Sequence, residues 1–328
     1  MQKNNYNILK TLFKPEYIMV WISLGIYLLF AVLLPGFGSY SNLFNILRQG
    51  SLNALMIVGV TCVITCGEFD VSFPDIAGLS GIVLAYLTVI RHTPILPAFV
   101  AAIAVGVLFG ALNGFLVTRF KFSSIIATIA VAGIAKSIAF AISEVRNIPM
   151  PMSGHFVDFI AHGRIGPVPM LLIVTIIVYV VVAFVKERMV LGQHIYAVGD
   201  NRLMSFQVGL KIKTITFGLF IFSATMAAFT GTITTAFFRS GIPALPASFF
   251  LNGLGAIFLG AMMFRLGKPN VKGSFVGAMM LAVISNGLTF IGAPEHMNFI
   301  IKGIILVSSV VIITVSRGKK LSAVADRL

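Results

Sequence analysis

Apolar residues run along this chain in long blocks, without the period-two or amphipathic alternation of a water-soluble fold. The first block, 17–34, is almost wholly apolar and follows Lys10 and Lys14. It is long enough to cross a hydrocarbon core of roughly 30 Å. No small-residue cleavage site follows it, so it reads as an uncleaved first span rather than a secretory signal peptide. Further blocks at 53–66, 76–90, 95–117, 123–142, 170–185, 215–237, 249–264, 273–291 and 298–315 predict nine more helices. The expected fold class is all-α: a polytopic membrane protein of about ten transmembrane helices. Blocks 53–66 and 249–264 are short, and each is expected to be broken, tilted or deeply buried.

Composition sharpens this picture. Of 328 residues, 58% are hydrophobic and 10% charged, with a mean hydropathy of +1.00. These values exclude soluble enzymes, fibrous proteins and disordered chains. The net charge of +14 would point to nucleic acid in a soluble protein, but here its location matters more. With the N-terminus in the cytoplasm, most basic residues gather on the inner side, among them Lys14, Lys121, Lys186, Arg202, Lys211, Lys268 and Lys319. Only Arg48, Arg91, Arg146, Arg164 and Arg239 fall outside. That asymmetry is the positive-inside bias, with both termini cytoplasmic. Attraction to anionic membrane lipids accounts for the surplus, and a nucleic-acid partner is not required.

One transmembrane permease domain over 1–328 is expected. It carries cytoplasmic segments at 1–16, 186–214 and 317–328, and an outer connection at 143–169 containing His155, Asp158, His162 and Arg164. No second domain, internal repeat or low-complexity segment is apparent.

Catalytic signatures are missing. Gly267-Lys268 runs into Pro269, which is not a phosphate-binding loop, so the chain does not hydrolyse ATP unaided. There is no nucleophile elbow, metal-type His pair or Cys-x-x-Cys. Cys62 and Cys66, at i and i+4, read as small buried core residues, and no metal is expected.

Four features carry candidate chemistry. Glu68, Asp70 and Asp75 cluster between two short apolar blocks, beside Gly67, Ser72 and Pro74. Ionisable groups near membrane depth face a cavity or a partner, and Gly67 and Pro74 mark interrupted helices. One reading puts Asp70 and Ser72 at the inner mouth of a pathway, holding helix ends. The other makes this a solvated cytoplasmic turn with Asp70 capping a helix. Lys136 lies near the membrane middle of its span, which favours an interior structural or pathway role. Lys302 lies only a few residues into its span and is expected to snorkel to the outer interface. Gly273-x-x-x-Gly277 sets two small residues on one helix face for close helix contact.

Several stretches together resemble the permease subunits of bacterial ATP-binding-cassette importers for simple sugars. This is the ribose, xylose, galactose and autoinducer-2 group of the branched-chain-amino-acid and monosaccharide permeases. Gly67-Glu68-Phe69-Asp70-Val71-Ser72 is similar to that family's Gly-Gly(or Glu)-Ile-Asp-Leu-Ser, departing at Phe73-Pro74 where Val-Gly is usual. The stretches 42–48, 53–59 and 122–128 also resemble it, and Lys136 falls where members usually carry Arg. The most specific match is the inner loop 191–201, with Ile195-Tyr196-Ala197-Val198-Gly199-Asp200-Asn201. The stretches 259–263, 272–278, 286–288 and 299–303 agree as well, so the resemblance reaches from about residue 40 to the C-terminus.

The resemblance implies a subunit of the bacterial cytoplasmic (inner) membrane that binds no cofactor. ATP and Mg would sit on a separate ABC ATPase subunit. An extracytoplasmic sugar-binding protein would deliver a small neutral solute, and a second permease copy or a paralogue would complete the pathway. It also implies that Asn201–Gly209 forms a coupling helix docked on the ATPase, giving Gly199, Asp200, Asn201, Arg202, Leu203, Met204 and Gly209 as coupling residues. Arg202-Leu203-Met204 stands where Glu-Ala-Ala is common, which implies a differently matched ATPase. The residues alone also admit an ion-coupled secondary transporter using Glu68, Asp70 or Lys136. An intramembrane enzyme lacks any paired nucleophile and base.

Overall fold

The structure is a computed structural model that describes residues 17–151, 154–244, 247–264 and 267–325. The expected segment 1–16, with Lys3, Lys10 and Lys14, lies outside the described residues, as do residues 326–328 of the expected tail. Among the described residues the protein is 79% helical. Its helices are α1 (Ile18–Leu33), α2 (Tyr40–Thr65), α3 (Phe73–Ala85, continued by a π turn over Tyr86–Ile90), α4 (Ile95–Arg119), α5 (Ser124–Ser143) and α6 (Phe156–His162). After these come α7 (Met170–Arg188), α8 (Val190–Asp200), α9 (Arg202–Gln207), α10 (Ile212–Phe238), α11 (Ala247–Gly260), α12 (Val271–Phe290) and α13 (Glu295–Ala325). Eight of them are long and apolar enough to cross a membrane, and α1 and α11 are shorter apolar helices. Each of the ten expected spans therefore has a helix. The only sheet among the described residues is two short antiparallel pairs, Ile148–Pro149 with Ser240–Gly241 and Arg164–Ile165 with Val168–Pro169.

Two boundaries differ from the sequence expectation. The short block at 53–66 is the second half of a 26-residue helix that begins at Tyr40. Arg48, Gln49 and Ser51 break the hydropathy there but not the helix, because all of them favour or tolerate helical backbone. In the inner loop 186–214, α8 was not expected, whereas α9 lies inside 201–209, where the resemblance implies a helix.

The chain divides into two compact units, one of residues 51–250 and one of residues 1–50 with 251–328. In the first, α3 is almost entirely buried, as a helix apolar on all sides must be. It packs beside α4 and α10, whose backbones approach closely through small residues. Gly106 and Gly110 of α4 face α10. A Cβ on Gly110 would lie 2.7 Å from the Phe220 carbonyl oxygen, and one on Gly231 of α10 would lie 2.0 Å from that of Ala77. Such contact substitutes for the hydrophobic drive that lipid does not supply between helices. Cys62 and Cys66 are buried free thiols.

In the second unit, Phe37 is fully buried among the rings of Tyr27, Phe30 and Phe290. Asn270 caps α12, accepting from the Gly273 N–H at 2.7 Å and donating to the Gly260 and Met263 carbonyls. Gly273 and Gly277 do bring helices together: Cβ atoms there would lie 2.2 Å from the carbonyl oxygens of Gly260 and Ala256 on α11. Lys302 departs from expectation. It is 6% exposed, enclosed within its packed unit where a side chain reaching the outer interface was expected.

Outward-facing positions on α4, α7 and α13 are large and apolar, such as Leu108, Val180 and Val307. A lipid-embedded surface looks like this. Close packing at α4 makes a direct test. Gly110→Leu should destabilise the protein by about 1–3 kcal/mol through overpacking. Gly218→Leu, at a helical glycine with nothing within 4 Å of its Cβ, should be nearly neutral. Thermal unfolding of both variants in one detergent checks the difference.

Candidate functional site

Between α2 and α3 the backbone leaves the helix. Gly67 turns the chain at φ +85, a left-handed conformation open to glycine at little cost. Pro74 starts α3 without a spare N–H. The amides of Cys66, Gly67 and Glu68 still donate to carbonyls of the last turns of α2, but beyond them side chains of a neighbouring helix take over at Phe69 and Val71. The Phe69 N–H donates to Ser124 Oγ at 3.0 Å, and the Val71 N–H to Thr128 Oγ1 at 3.2 Å. Non-helical backbone at membrane depth is tolerated only where protein or water satisfies it in this way.

Asp70 anchors the stretch. Its side chain is fully buried and accepts three hydrogen bonds: from Ser72 Oγ at 2.6 Å, the Ser72 N–H at 2.9 Å and Ser223 Oγ of α10 at 2.7 Å. Asn113 of α4 donates to Ser72 Oγ at 2.8 Å. The solvated-turn reading of Asp70 is thereby overturned, since a carboxylate without exposure and with three donors is a buried polar hub. The helix-capping reading fails with it, because the N-cap of α3 is Ser72, and its side chain makes no cap bond.

The end of α7 and the helix α8 that follows it, with the start of α9, meet the same stretch from the other end. Gly199 sits so close to α2 that a Cβ there would lie 2.0 Å from the Thr65 carbonyl oxygen, and Gly67 faces the Gly199 backbone. Lys186 is buried, donates to Thr65 Oγ1 at 2.8 Å and lies 4.8 Å from the centre of the Tyr196 ring. Glu68 is buried and forms an ion pair with Arg202, the first residue of α9.

Asn201 caps α9, its side chain accepting from the Met204 N–H at 3.0 Å, and Gly209 ends the turn at φ +81. Asp200 closes α8. Leu203, Met204, Phe206 and Val208 are all exposed, so this short segment presents large apolar side chains to its surroundings. An open cavity of about 980 Å³ lies beside it, lined by Glu68, Lys121, Phe122, Arg202, Phe206, Lys211 and Lys213.

The candidate residues therefore fall into groups. Gly67, Glu68, Gly199 and Arg202 come together, and Asp70 and Ser72 join Asn113 and Ser223. Asp75 and Lys136 stand apart from both. Lys136 is on the exposed face of α5, not in the interior of its unit. Among the described residues no three of His, Cys, Asp or Glu come close enough to hold a metal ion. Sequence reasoning passed over Lys186, Asn113, Ser124, Thr128 and Ser223. The available signal was polar residues set inside apolar blocks, above all Ser124 and Thr128 one turn apart.

Long apolar helices around a buried polar break, with a short capped helix projecting from one end, define a multi-pass membrane permease. The family model described as the permease component of the branched-chain amino acid transport system matches residues 42–310, and the chain belongs to that family. It is similar to the ribose import permease protein of Escherichia coli, at 27% identity over 284 residues, covering 86% of this chain and 88% of the relative. The D-allose transport system permease protein of Escherichia coli is 28% identical over 303 residues, covering 90% and 92%. The L-arabinose ABC transporter permease protein of Azospirillum brasilense is 24% identical over 292 residues, covering 89% and 85%. No solved structure matches the chain. These relatives leave the ion-coupled alternative without support.

The hub also makes a prediction. Asp70→Ala strands the Ser72 and Ser223 donors and should cost about 1–3 kcal/mol for each buried group left unpaired. Asp70→Asn, which keeps an acceptor, should cost less. Thermal midpoints in detergent give the order wild type, Asn variant, Ala variant.

Proposed function

We propose that this chain is the membrane permease subunit of an ATP-driven importer that passes a monosaccharide inward across the bacterial cytoplasmic membrane. Family membership supports the permease role. The relatives' printed substrates (ribose, allose and arabinose) support the cargo. The chain has no nucleotide-binding motif, so a separate ABC ATPase carries ATP and Mg. An extracytoplasmic sugar-binding protein feeds the outer face. A second copy of the permease or a paralogue completes the path, and both termini of this chain are cytoplasmic.

The observation that carries the proposal is α9. A six-residue helix with three exposed apolar side chains, and a fourth at Val208 just past its end, is not stable by itself in water, and those side chains need a partner surface. Docking on the ATPase supplies one, with Leu203, Met204, Phe206 and Val208 as the contact. Closure of the ATPase pair on ATP then displaces α9. The Arg202–Glu68 pair, the Gly199–Thr65 contact and the Lys186 bond to Thr65 carry that displacement to residues 66–72. From there the bonds to Ser124, Thr128, Asn113 and Ser223 pass it to α5, α4 and α10. An ATPase that binds one conformation better shifts the population by that difference in affinity.

Charge reversal separates this linkage from mere folding. In proteoliposomes containing permease, ATPase and binding protein, Glu68→Arg and Arg202→Glu should each lower sugar uptake per ATP hydrolysed about tenfold, a normal size for one coupling interaction. The double variant, which restores an ion pair in reversed sense, should recover most of the wild-type ratio. Uptake driven by an ion gradient in vesicles holding this chain alone would overturn the reading.

A further inference from the structure

We propose that the exposed face of α5 around Lys136, with Asp75 of α3 beside it, is a wall of the solute path, where an ammonium and a carboxylate hold hydroxyl groups of the passing sugar. The identity of the solute rests on the reading given above; the existence of the wet face does not.

The argument begins with depth. α5 starts at Ser124, and at 1.5 Å per residue Lys136 lies about 18 Å along it, near the middle of a hydrocarbon core of roughly 30 Å. At that level the side chain is exposed. Gly133, one turn before it, has open space where a Cβ would be, and Ser137 is exposed beside it. A charged ammonium does not face lipid tails at mid-depth, and neither interface is within a lysine's reach. Elsewhere the exposed side chains of α5 are large and apolar (Ile126, Ile129, Ile134 and Ile138), as they are on α7, so the polar patch is confined to Gly133, Lys136 and Ser137.

Asp75 lies close by for a structural reason. The stretch 66–72 climbs along α5, with Phe69 bonded at Ser124 and Val71 at Thr128. The first turn of α3 therefore begins at the level of the next turn of α5. Side chains on a helix lean toward its N-terminus, which tips the Lys136 ammonium toward Asp75. Lys136 acts electrostatically on the half-buried Asp75 carboxyl. Even so, the two form no ion pair, and neither has another such partner among the described residues.

Opposite charges that are neighbours without touching leave room for something between them. An ammonium offers three donors and a carboxylate only acceptors. A neutral polyol, whose hydroxyls both donate and accept, bridges the two without carrying charge into the membrane. The nearby Ser137 hydroxyl donates to the Gly133 carbonyl at 2.8 Å, leaving its lone pairs free to accept. The Phe140 ring, 5.8 Å from the ammonium nitrogen, offers an apolar face to a sugar ring's C–H groups.

Cysteine accessibility in membranes containing the full chain tests this. Lys136→Cys and Gly133→Cys should react with a small charged methanethiosulfonate, added from both sides, about tenfold or more faster than Val180→Cys, because thiolate forms in water and not in lipid. D-Ribose, D-allose or L-arabinose should slow the reaction at Lys136→Cys. Buried Cys62 and Cys66 leave the unmodified chain as a quiet background. Labelling no faster than at Val180→Cys would overturn the wet face. Fast labelling that none of the sugars slows would overturn the sugar contact. No ATPase is needed for the reaction, so failure here leaves ATP-driven uptake standing, and failure of ATP-driven uptake leaves a labelled path standing.

Discussion

Everything in the first unit turns on one requirement: backbone that leaves the helix inside an apolar surrounding must have its polar groups satisfied by something other than itself. Phe69 and Val71 meet it with hydroxyls from α5, and Asp70 meets the same need for Ser72 and Ser223. A fully buried carboxylate is tolerable only because three donors surround it. Those bonds also fix where α3 starts, and so where Asp75 stands relative to Lys136. One break in the helical pattern thus adds polar links between elements that are otherwise held by apolar packing.

That arrangement gives the break two neighbours of different character. Toward α9, α8 and the end of α7 it meets charge and backbone: Glu68 against Arg202, Thr65 against Gly199 and Lys186. Toward α4, α5 and α10 it meets neutral donors and hydroxyls. Buried hydrogen bonds of this kind are directional and resist stretching, which suits an element that must move as a piece. The apolar outer faces of α4 and α7 make no such demands and can slide against lipid.

Much of this was legible in the sequence, for identifiable reasons. The spans are long apolar blocks, and hydropathy reads such blocks directly. The break was legible because Gly67 and Pro74 cannot sit inside a continuing helix without consequence, and the helix within 201–209 only through the family resemblance of the loop before it. What escaped was set by packing across distance. Asp70 finds Ser223 at a separation of 153 residues, and Ser72 finds Asn113 at 41; no local pattern encodes either pairing. Lys302 was misjudged because its helix starts earlier than its apolar block and its face is turned inward. Lys136 is the reverse case, since its depth was readable but the direction it faces was not.

The central claim is that α9 and the 66–72 stretch move as one linked element. Hydrogen exchange of the backbone amides in the full complex, with and without trapped nucleotide on the ATPase, tests it most directly. Linked motion predicts that exchange at Phe69 and Val71 changes together with exchange in 202–209 when nucleotide is trapped. A change confined to 202–209, with Phe69 and Val71 unaltered, would contradict it.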